Sequence, residues 1–203
     1  MVDDIYKTLN SPSEGLYKEK GSKFLAFAFP VYDETEIRNL IAEIKKQYYD
    51  ARHHCYAWQL GLDKSNFRAN DDGEPSGTAG KPIYGQILSH QLTNVLIIVV
   101  RYFGGIKLGT GGLVAAYKTA AADAIAHSEI IDKTVQNYYQ IFFNYEALND
   151  VMRILKEEQP EVLNQLFDLR CCIEFRLRVA RTAKVIEKLE AVTSVKCNFL
   201  KQE

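Results

Sequence analysis

Residues 94–113 read NVLIIVVRYFGGIKLGTGGL. Residues 95–100 are six consecutive leucine or β-branched residues, a pattern that predicts a central strand buried on both faces. A glycine-rich loop, residues 102–112, follows directly, and the alanine-rich stretch 113–127 predicts a helix after it. This order predicts that the loop backbone lies beside the start of a helix, where unpaired N–H groups attract anions.

The residues before this segment alternate between strand and helix patterns. Apolar side chains on both sides of residues 24–31 predict another buried strand, and apolar residues at helical spacing follow Asp33, which is expected to cap a helix. Residues 63–82 are polar and contain Gly and Pro, so they predict a long loop. The predicted elements are strands at 16–17, 24–31 and 53–62 and helices at 33–48 and 83–90.

After residue 131 the pattern changes to β-α-β-β-α-β, which is typical of a ferredoxin-like domain. We therefore expect an α+β chain of two domains, residues 1–131 and residues 132–203, with the boundary near 130–134. The predicted elements of the second domain are strands at 134–145, 161–169, 171–179 and 194–200 and helices at 146–157 and 182–191.

Composition and charge restrict the function. The chain has 203 residues with 25 Lys and Arg and 26 Asp and Glu, so its net charge is −1. This balance excludes a protein that coats nucleic acid or membrane with bulk positive charge. A hydrophobic fraction of 47% and a charged fraction of 25% exclude disordered and fibrous classes.

The sequence also predicts a cytoplasmic protein that does not bind membranes. No segment approaches the roughly 18 consecutive apolar residues of a membrane span, and residues 1–10 lack the pattern of a signal peptide. The cysteines have no spacing typical of a disulfide framework, which favours free thiols in a reducing compartment. These cysteines are Cys55, Cys171, Cys172 and Cys197.

Acidic residues are unevenly distributed in the first domain. Residues 75–122 contain no Asp or Glu but include Lys81, Arg101, Lys107 and Lys118. The glycine-rich loop lies inside this window, so the net charge of −1 conceals a local electropositive patch. Chance unevenness is the alternative interpretation.

The glycine-rich loop is the strongest candidate for a phosphate-binding site. Five glycines in residues 104–112 allow positive φ angles and close approach of a ligand to the backbone. The loop lacks the lysine and hydroxyl residue that follow the last glycine in nucleotide-hydrolysing loops, and tight helix–sheet packing is the alternative use of its glycines. The candidate phosphate-binding residues are Arg101, Lys107, Lys81, Arg68, Lys23, Gly104, Gly105, Gly109, Thr110, Gly111 and Gly112, with Tyr102 and Phe103 as candidates for base stacking.

A second loop, residues 68–80, combines acidic residues with turn signals. Its carboxylates do not have the spacing of a calcium loop, so turn formation with contact to a ligand or partner is favoured over a metal site. The candidate residues of this loop are Asp71, Asp72, Gly73, Glu74, Pro75, Ser76, Gly77, Thr78 and Gly80.

The segment His53–His54–Cys55 offers zinc ligands or a nucleophilic pair, but neither interpretation is complete. On a strand His53 and Cys55 share a face, yet no CxxC or HxxxH pattern supplies further ligands and no third residue orients a nucleophile. The sequence therefore predicts no catalytic residue, no metal and no cofactor.

The second domain contains its own cluster of basic residues. Arg176 and Arg178 share one face of a predicted strand and are candidates for contact with a polyanion, with a solvated sheet face as the alternative. The cluster comprises Arg170, Arg176, Arg178, Arg181 and Lys184.

Three separate blocks of the sequence resemble the IMPACT family, in its bacterial YigZ branch. They are EKGSKFLAFAFPV at 19–31, RANDDGEPSGTAGKP at 68–82 and IIVVRYFGGIKLGTGGLVAAYK at 97–118. His53, Cys55 and Ala57 match an H-x-C-x-A-like strand of that family. The resemblance covers about residues 15–125, and the C-terminal segment resembles a small domain of unknown function that follows in bacterial members.

The resemblance implies a fold for each domain. The first domain is expected to be similar to the second domain of a small-subunit ribosomal protein and to domain IV of elongation factor G. The second domain is expected to be similar to the ferredoxin-like domains of that factor. It further implies a translation-related role, because eukaryotic relatives are translational regulators, although fold alone does not fix function.

Three functions are compatible with these residues. The first is a non-catalytic protein that binds RNA or the ribosome through the electropositive patch. The second is an enzyme for a phosphorylated small molecule, with Asp71, Asp72 or His53 as acid or base. The third is a regulator that binds a protein partner in translation control. A deep pocket enclosing both loops favours the enzyme, and an open groove favours the first function. The oligomeric state is not predicted.

Overall fold

The computed structural model describes residues 4–168 and 170–202. The chain divides into two units, and the division falls between residues 133 and 134. Residues 6–133 form the first unit. The second unit begins at residue 134 and also includes residues 4–5. Residues 1–3, 169 and 203, which belong to the predicted domains, lie outside the described residues.

The first unit is built on a five-stranded antiparallel sheet. Its strands in chain order are β2 (Ser13–Glu19), β3 (Ser22–Pro30), β4 (His53–Leu60), β5 (Asn66–Asn70) and β6 (Val95–Tyr102). They are arranged in the order β2-β3-β6-β4-β5. A separate two-stranded sheet pairs β1 (Ile5–Leu9) with β7 (Ile130–Thr134).

Helices cover both faces of the five-stranded sheet. On one face lie α2 (Gly80–Ser89) and α3 (Gly109–Ala126), whose side chains share a core with Ile97 and Val99 of β6. On the other face α1 (Glu34–Gln47) packs against Ile98. All the residues of β6 from 95 to 101 are buried, which confirms the prediction of a central strand buried on both faces.

The observed elements differ from the predicted ones where the apolar pattern is weak. Strand β5 lies inside the predicted loop 63–82, and its first four residues are exposed, so it has no alternating apolar signal. Helices α2 and α3 begin at Gly80 and Gly109, three and four residues before the predicted starts. The prediction placed both starts too late because glycine has a low intrinsic helix propensity. Strands β1 and β7 were not predicted.

The second unit has the predicted β-α-β-β-α-β order. Its strands are β8 (Gln136–Asn144), β9 (Glu161–Leu166), β10 (Arg170–Arg178) and β11 (Lys196–Gln202), in the spatial order β11-β8-β10-β9. Helices α4 (Leu148–Glu158) and α5 (Val179–Glu190) cover one face. The predicted strand 161–169 ends at Leu166. The two units together confirm the α+β class.

Asp4 completes the second unit from the far end of the chain. The residue is 1% exposed, and its carboxylate accepts hydrogen bonds from Arg178 Nη2 at 2.7 Å and from the Ala180 N–H at 3.1 Å. The Asp4 carbonyl oxygen accepts a bond from the Val135 N–H at 2.8 Å. The hydrogen bond from Arg178 is the main cause that holds the pKa of Asp4 below its usual value.

One glycine of the loop is required for close packing. A Cβ on Gly104 would lie 1.9 Å from the carbonyl carbon of Gly21 and 2.2 Å from the backbone nitrogen of Ser22, in and just after the β2–β3 turn. In addition, the Gly104 N–H donates to Ser22 Oγ at 3.1 Å. The glycine-rich loop is therefore attached to this turn by direct backbone contact.

We predict that Gly104→Ala destabilises the first unit by about 2 kcal/mol, because backbone atoms cannot move aside as a flexible side chain does. Gly111→Ala is the control, since a Cβ there meets no atom within 4 Å and alanine favours the helix. The measurement is the urea midpoint followed by circular dichroism. Equal midpoints for the two variants would contradict the close contact at Gly104.

Candidate functional site

A cleft of about 440 Å³ lies where the start of β4 meets the end of β6. His53 and Arg101 face each other there as paired residues of the two antiparallel strands. Both predicted loops contribute to the walls of the cleft. The lining residues are Arg52, His53, Glu74, Pro75, Arg101, Phe103, Lys107, Leu108, Gly109, Thr110 and Leu113.

A buried ion pair lies at this cleft. Arg101 Nη1 lies 2.6 Å from Glu74 Oε1, and the two side chains are 8% and 3% exposed. Tyr117 Oη of α3 donates a hydrogen bond to the same carboxylate oxygen at 2.8 Å. Among the described residues that line this cleft, Glu74 is the only acidic one, and Arg101 compensates its charge. The cationic side chains of Arg52 and Lys107 remain in the lining without a described carboxylate partner.

Arg101 keeps an unused donor. Its Nε is buried and has no hydrogen-bond partner among residues 4–168 and 170–202. The guanidinium carbon lies 5.5 Å from the centre of the Phe24 ring and 5.6 Å from that of Phe103. Buried donors normally have partners, so the unpaired Nε leaves Arg101 with hydrogen-bonding capacity that the described residues do not use.

The start of α3 gives the cleft a second source of positive potential. No side chain caps the helix at Leu108, and its first turn contains no acidic residue. The first N–H groups of the helix therefore lack a side-chain acceptor from the cap position, and the helix dipole favours an anion beside them. Gly109 and Thr110 bring this end of the helix to the cleft wall.

The glycines of the loop differ in why glycine suits each position. Gly104 is packed against backbone, as described above. Gly105 and Gly109 have φ angles of +87° and +72°, and a Cβ at either position, or at Gly111, meets no atom within 4 Å. Tight packing thus accounts for Gly104, and a Cβ on Gly112 would lie 3.0 Å from Leu108 Cβ, whereas Gly105, Gly109 and Gly111 leave open space beside the backbone.

Asp71 organises the loop before α2. Its carboxylate accepts hydrogen bonds from the N–H groups of Gly77 at 2.8 Å, Ala79 at 3.0 Å and Gly80 at 2.8 Å. Burial alone would raise the pKa of Asp71, but these three N–H donors outweigh it and hold the pKa below its usual value. The Asp71 carboxylate thus stabilises the loop and the first turn of α2 through these hydrogen bonds.

Asp72 is also occupied by structural contacts. Its carboxylate lies 3.0 Å from Lys45 Nζ and accepts the His54 N–H at 2.7 Å. Burial raises the pKa of Asp72, and the bonds from His54 and Lys45 more than offset this, so the pKa is lowered. The Asp72 carbonyl lies 2.9 Å from Nδ1 of His53, which places the ring proton on that nitrogen.

Cys55 is unsuited to nucleophilic attack. It is fully buried, and burial is the main cause that raises its pKa to about 12, so the thiol stays protonated at neutral pH. Its Sγ lies 3.0 Å from the Asp71 carbonyl oxygen and 3.3 Å from Tyr117 Oη. No group of three or more His, Cys, Asp or Glu in the described part of the chain is arranged to hold a metal ion.

The cleft unites only part of the residues proposed from the sequence. Arg68, Lys81 and Lys23 are exposed but do not line it. Tyr102 donates to Asp50 Oδ1 at 2.7 Å, a bond that is the main cause of a pKa raised to about 12. The proposed residues that do line the cleft are Arg101, Lys107, Gly109, Thr110, Phe103, Glu74 and Pro75.

Arg52 lines the cleft and was missed by the sequence analysis. It lies outside the acid-free window, one residue before β4. The pairing of β4 with β6 brings it to the end of the buried strand. Its position next to the histidine pair was the only available signal.

A five-stranded antiparallel sheet with a glycine-lined cleft, followed in the chain by a ferredoxin-like unit, defines a two-domain α+β protein. A solved structure described as a crystal structure of a hypothetical protein is similar, with a TM-score of 0.74 at 27% identity, covering 98% of this chain and 99% of that chain. The family model described as the Impact N-terminal domain matches residues 20–125.

Curated relatives extend this match. IMPACT family member YvyE of Bacillus subtilis (strain 168) is 34% identical over 154 residues, 76% of this chain and 71% of the relative. IMPACT family member YigZ of Escherichia coli (strain K12) is 31% identical over 172 residues, 84% of each chain. The chain belongs to the IMPACT family, which confirms the resemblance predicted from its three sequence blocks.

We predict that Glu74→Leu lowers the free energy of unfolding by about 3 kcal/mol, because it leaves the buried Arg101 guanidinium without its carboxylate. Arg101→Met is expected to be destabilising for the reciprocal reason. The double variant should lose clearly less stability than the sum of the two single variants. Urea titration of all four proteins measures this coupling, and additive losses would show that the two side chains do not interact.

We predict that Asp71→Asn destabilises the protein by about 1–2 kcal/mol at pH 7, because the amide keeps only one acceptor oxygen, which is neutral, and replaces the other with an NH2 donor. The pKa of Asp71 is lowered on folding from the usual 3.8, so the stability it contributes is fully present above about pH 5. That stability is lost as the pH falls through the folded-state pKa, below 3.8.

The melting temperatures of wild type and Asp71→Asn, measured from pH 7 to pH 3, check this prediction. The difference between them should narrow as the pH falls below 4 and the wild-type carboxylate becomes protonated. A constant difference across this range would mean that the charge of Asp71 contributes nothing.

Proposed function

We propose that the protein is a non-catalytic, translation-related protein that binds RNA, free or within the ribosome, through the cleft at the start of α3. The observation that supports this most strongly is the balance of charge in the cleft. Glu74 is compensated by Arg101, and two further cations, Arg52 and Lys107, line the same cleft as the uncapped start of α3. A phosphate group complements this arrangement.

Phe103 adds a means of contacting a base. Phe103 is 51% exposed and lines the cleft, and the Arg101 guanidinium carbon lies 5.6 Å from the centre of its ring. Exposed aromatic rings beside phosphate-binding cations are typical of proteins that bind single-stranded or unpaired RNA. The membership of the IMPACT family supports the translation-related role, since the resemblance described above implies that eukaryotic relatives regulate translation.

The dimensions of the cleft favour a second candidate, an enzyme for a phosphorylated small molecule. A volume of about 440 Å³, with walls from both loops, lies within the usual range for small-ligand sites. The structure reduces the acid–base candidates, because Asp71 and Asp72 are bonded to backbone N–H groups and do not line the cleft. His53 is the remaining candidate of the three.

We predict that Arg52→Glu with Lys107→Glu weakens co-sedimentation with purified ribosomes by about tenfold, because both cations beside the helix start are reversed. Lys46→Glu with Lys118→Glu is the matched control, since it changes the net charge equally at two exposed positions of the same unit that do not line the cleft. Binding by the wild type should also fall steeply as salt rises.

Three outcomes separate the candidate functions. Loss of ribosome binding in the cleft variant alone supports RNA contact at the cleft. Equal loss of ribosome binding in the cleft variant and the control variant means that binding depends only on net charge, and this result contradicts the proposal. Absence of ribosome binding, together with a rise in the melting temperature of wild type but not of the cleft variant in inorganic phosphate, favours the small-molecule enzyme.

A further inference from the structure

The four-stranded sheet of the second unit has one open face. Side chains of β10 alternate between the two faces, and Cys171, Ile173, Phe175 and Leu177 are buried beneath α4 and α5. The intervening side chains of β10 point to the opposite face and are only half-buried. The described helices of this unit, α4 and α5, share the core on the first face.

Two aromatic side chains lie on this open face. Tyr138 and Phe142 of β8 pair with Arg176 and Cys172 of β10, so all four side chains point to the same side. The two rings are four residues apart on one strand, which separates them by about 13 Å. Each ring is therefore placed to contact its own planar ligand group.

Cations surround both rings. Arg176 and Lys201 place their charged groups 5.9 Å and 4.6 Å from the centre of the Tyr138 ring. The Arg170 guanidinium lies 5.1 Å from the centre of the Phe142 ring. Lys196 of β11 is paired with Phe142 and is exposed. Rings and cations thus alternate across strands β11, β8 and β10.

The described carboxylates of this face contact only some of its cations. Glu161 pairs with Arg176 at 2.8 Å, and Asp4 pairs with Arg178 at 2.7 Å. Glu174 accepts a hydrogen bond from the Gln140 amide at 2.7 Å. Among residues 4–168 and 170–202, Arg170 and Lys196 are the cations of this face for which no carboxylate partner is described.

We propose that this open face binds single-stranded RNA, with bases stacked on Tyr138 and Phe142 and phosphates held by the cations around them. A cation over an exposed ring is a weak contact, weaker than the stacking of a base on the same ring. A base that displaces Arg170 from the Phe142 ring releases that cation to pair with a phosphate. Stacking and charge complementarity are therefore gained together.

This surface belongs to the second unit and does not depend on the cleft of the first. Stacking on rings is insensitive to base identity, so a strand of any sequence with unpaired bases is expected to bind. Paired bases do not expose their faces, so duplex RNA is expected to bind less well.

The test measures fluorescence anisotropy of a fluorescein-labelled 12-nucleotide oligouridine titrated with the full chain. Tyr138→Leu with Phe142→Leu is expected to weaken binding by about tenfold or more, because both stacking platforms are lost. Tyr138→Phe keeps the ring and should bind like wild type. Tyr49→Leu with Tyr145→Leu is the matched control, since both of these rings are exposed and neither lies on the sheet face.

If loss of the aromatic rings disturbs folding, a second variant tests whether the sheet face binds RNA. Lys196→Glu with Lys201→Glu changes two exposed side chains and is expected to weaken oligouridine binding by about tenfold. Wild-type affinity in this variant, or equal competition by duplex RNA of the same length, overturns the inference.

Two further outcomes separate this surface from other occupants. If Arg52→Glu with Lys107→Glu abolishes oligouridine binding and the variants of the sheet face do not, the RNA lies in the cleft; the inference fails while the proposed function stands. If sedimentation velocity shows a dimer that Tyr138→Leu with Phe142→Leu dissociates, with RNA affinity unchanged, the face is an interface between two copies and the inference is wrong.

Discussion

The buried ion pair between Arg101 and Glu74 fixes the geometry of the first unit around its cleft. It joins the end of β6 to the loop before α2, and Tyr117 connects the same carboxylate to α3. A buried ion pair gives little net stability compared with apolar packing, but separating its partners is costly. The Glu74 carboxylate therefore connects β6, the loop before α2 and α3. These contacts hold the uncapped start of α3 beside Arg52 and Lys107.

Elements with a clear apolar pattern were predictable from the sequence, whereas elements without one were not. Strand β6 and the strands and helices of the second unit repeat apolar residues at the spacing of their secondary structure, so their order could be read directly. Strand β5 has an almost fully exposed set of side chains and contains no such repeat. The glycine starts of α2 and α3 lack helix propensity, and their helical state comes from tertiary contacts, including the bonds of Asp71 to the first.

The candidate site was predictable only as far as neighbours in sequence coincide with neighbours in space. Arg101 and Lys107 lie beside the glycine-rich loop in the chain, and both line the cleft. The acid-free window begins one residue after Glu74, the carboxylate that occupies Arg101. A count of acidic residues along the chain thus excluded the carboxylate that the fold pairs with Arg101. It also missed Arg52, which reaches the cleft through strand pairing. Charge patterns locate a patch, but only the fold shows which of its charges are already compensated.

The contact of Asp4 with Arg178 has a consequence for the order in which the protein forms. Asp4 leaves the ribosome before residues 134–202 of the unit that it completes, and its partner is separated from it by the whole of the first unit. During synthesis the first unit has all its residues available while this carboxylate still lacks its guanidinium. The second unit can close only after residue 178 has emerged, so the last stage of folding draws on one of the earliest residues of the chain.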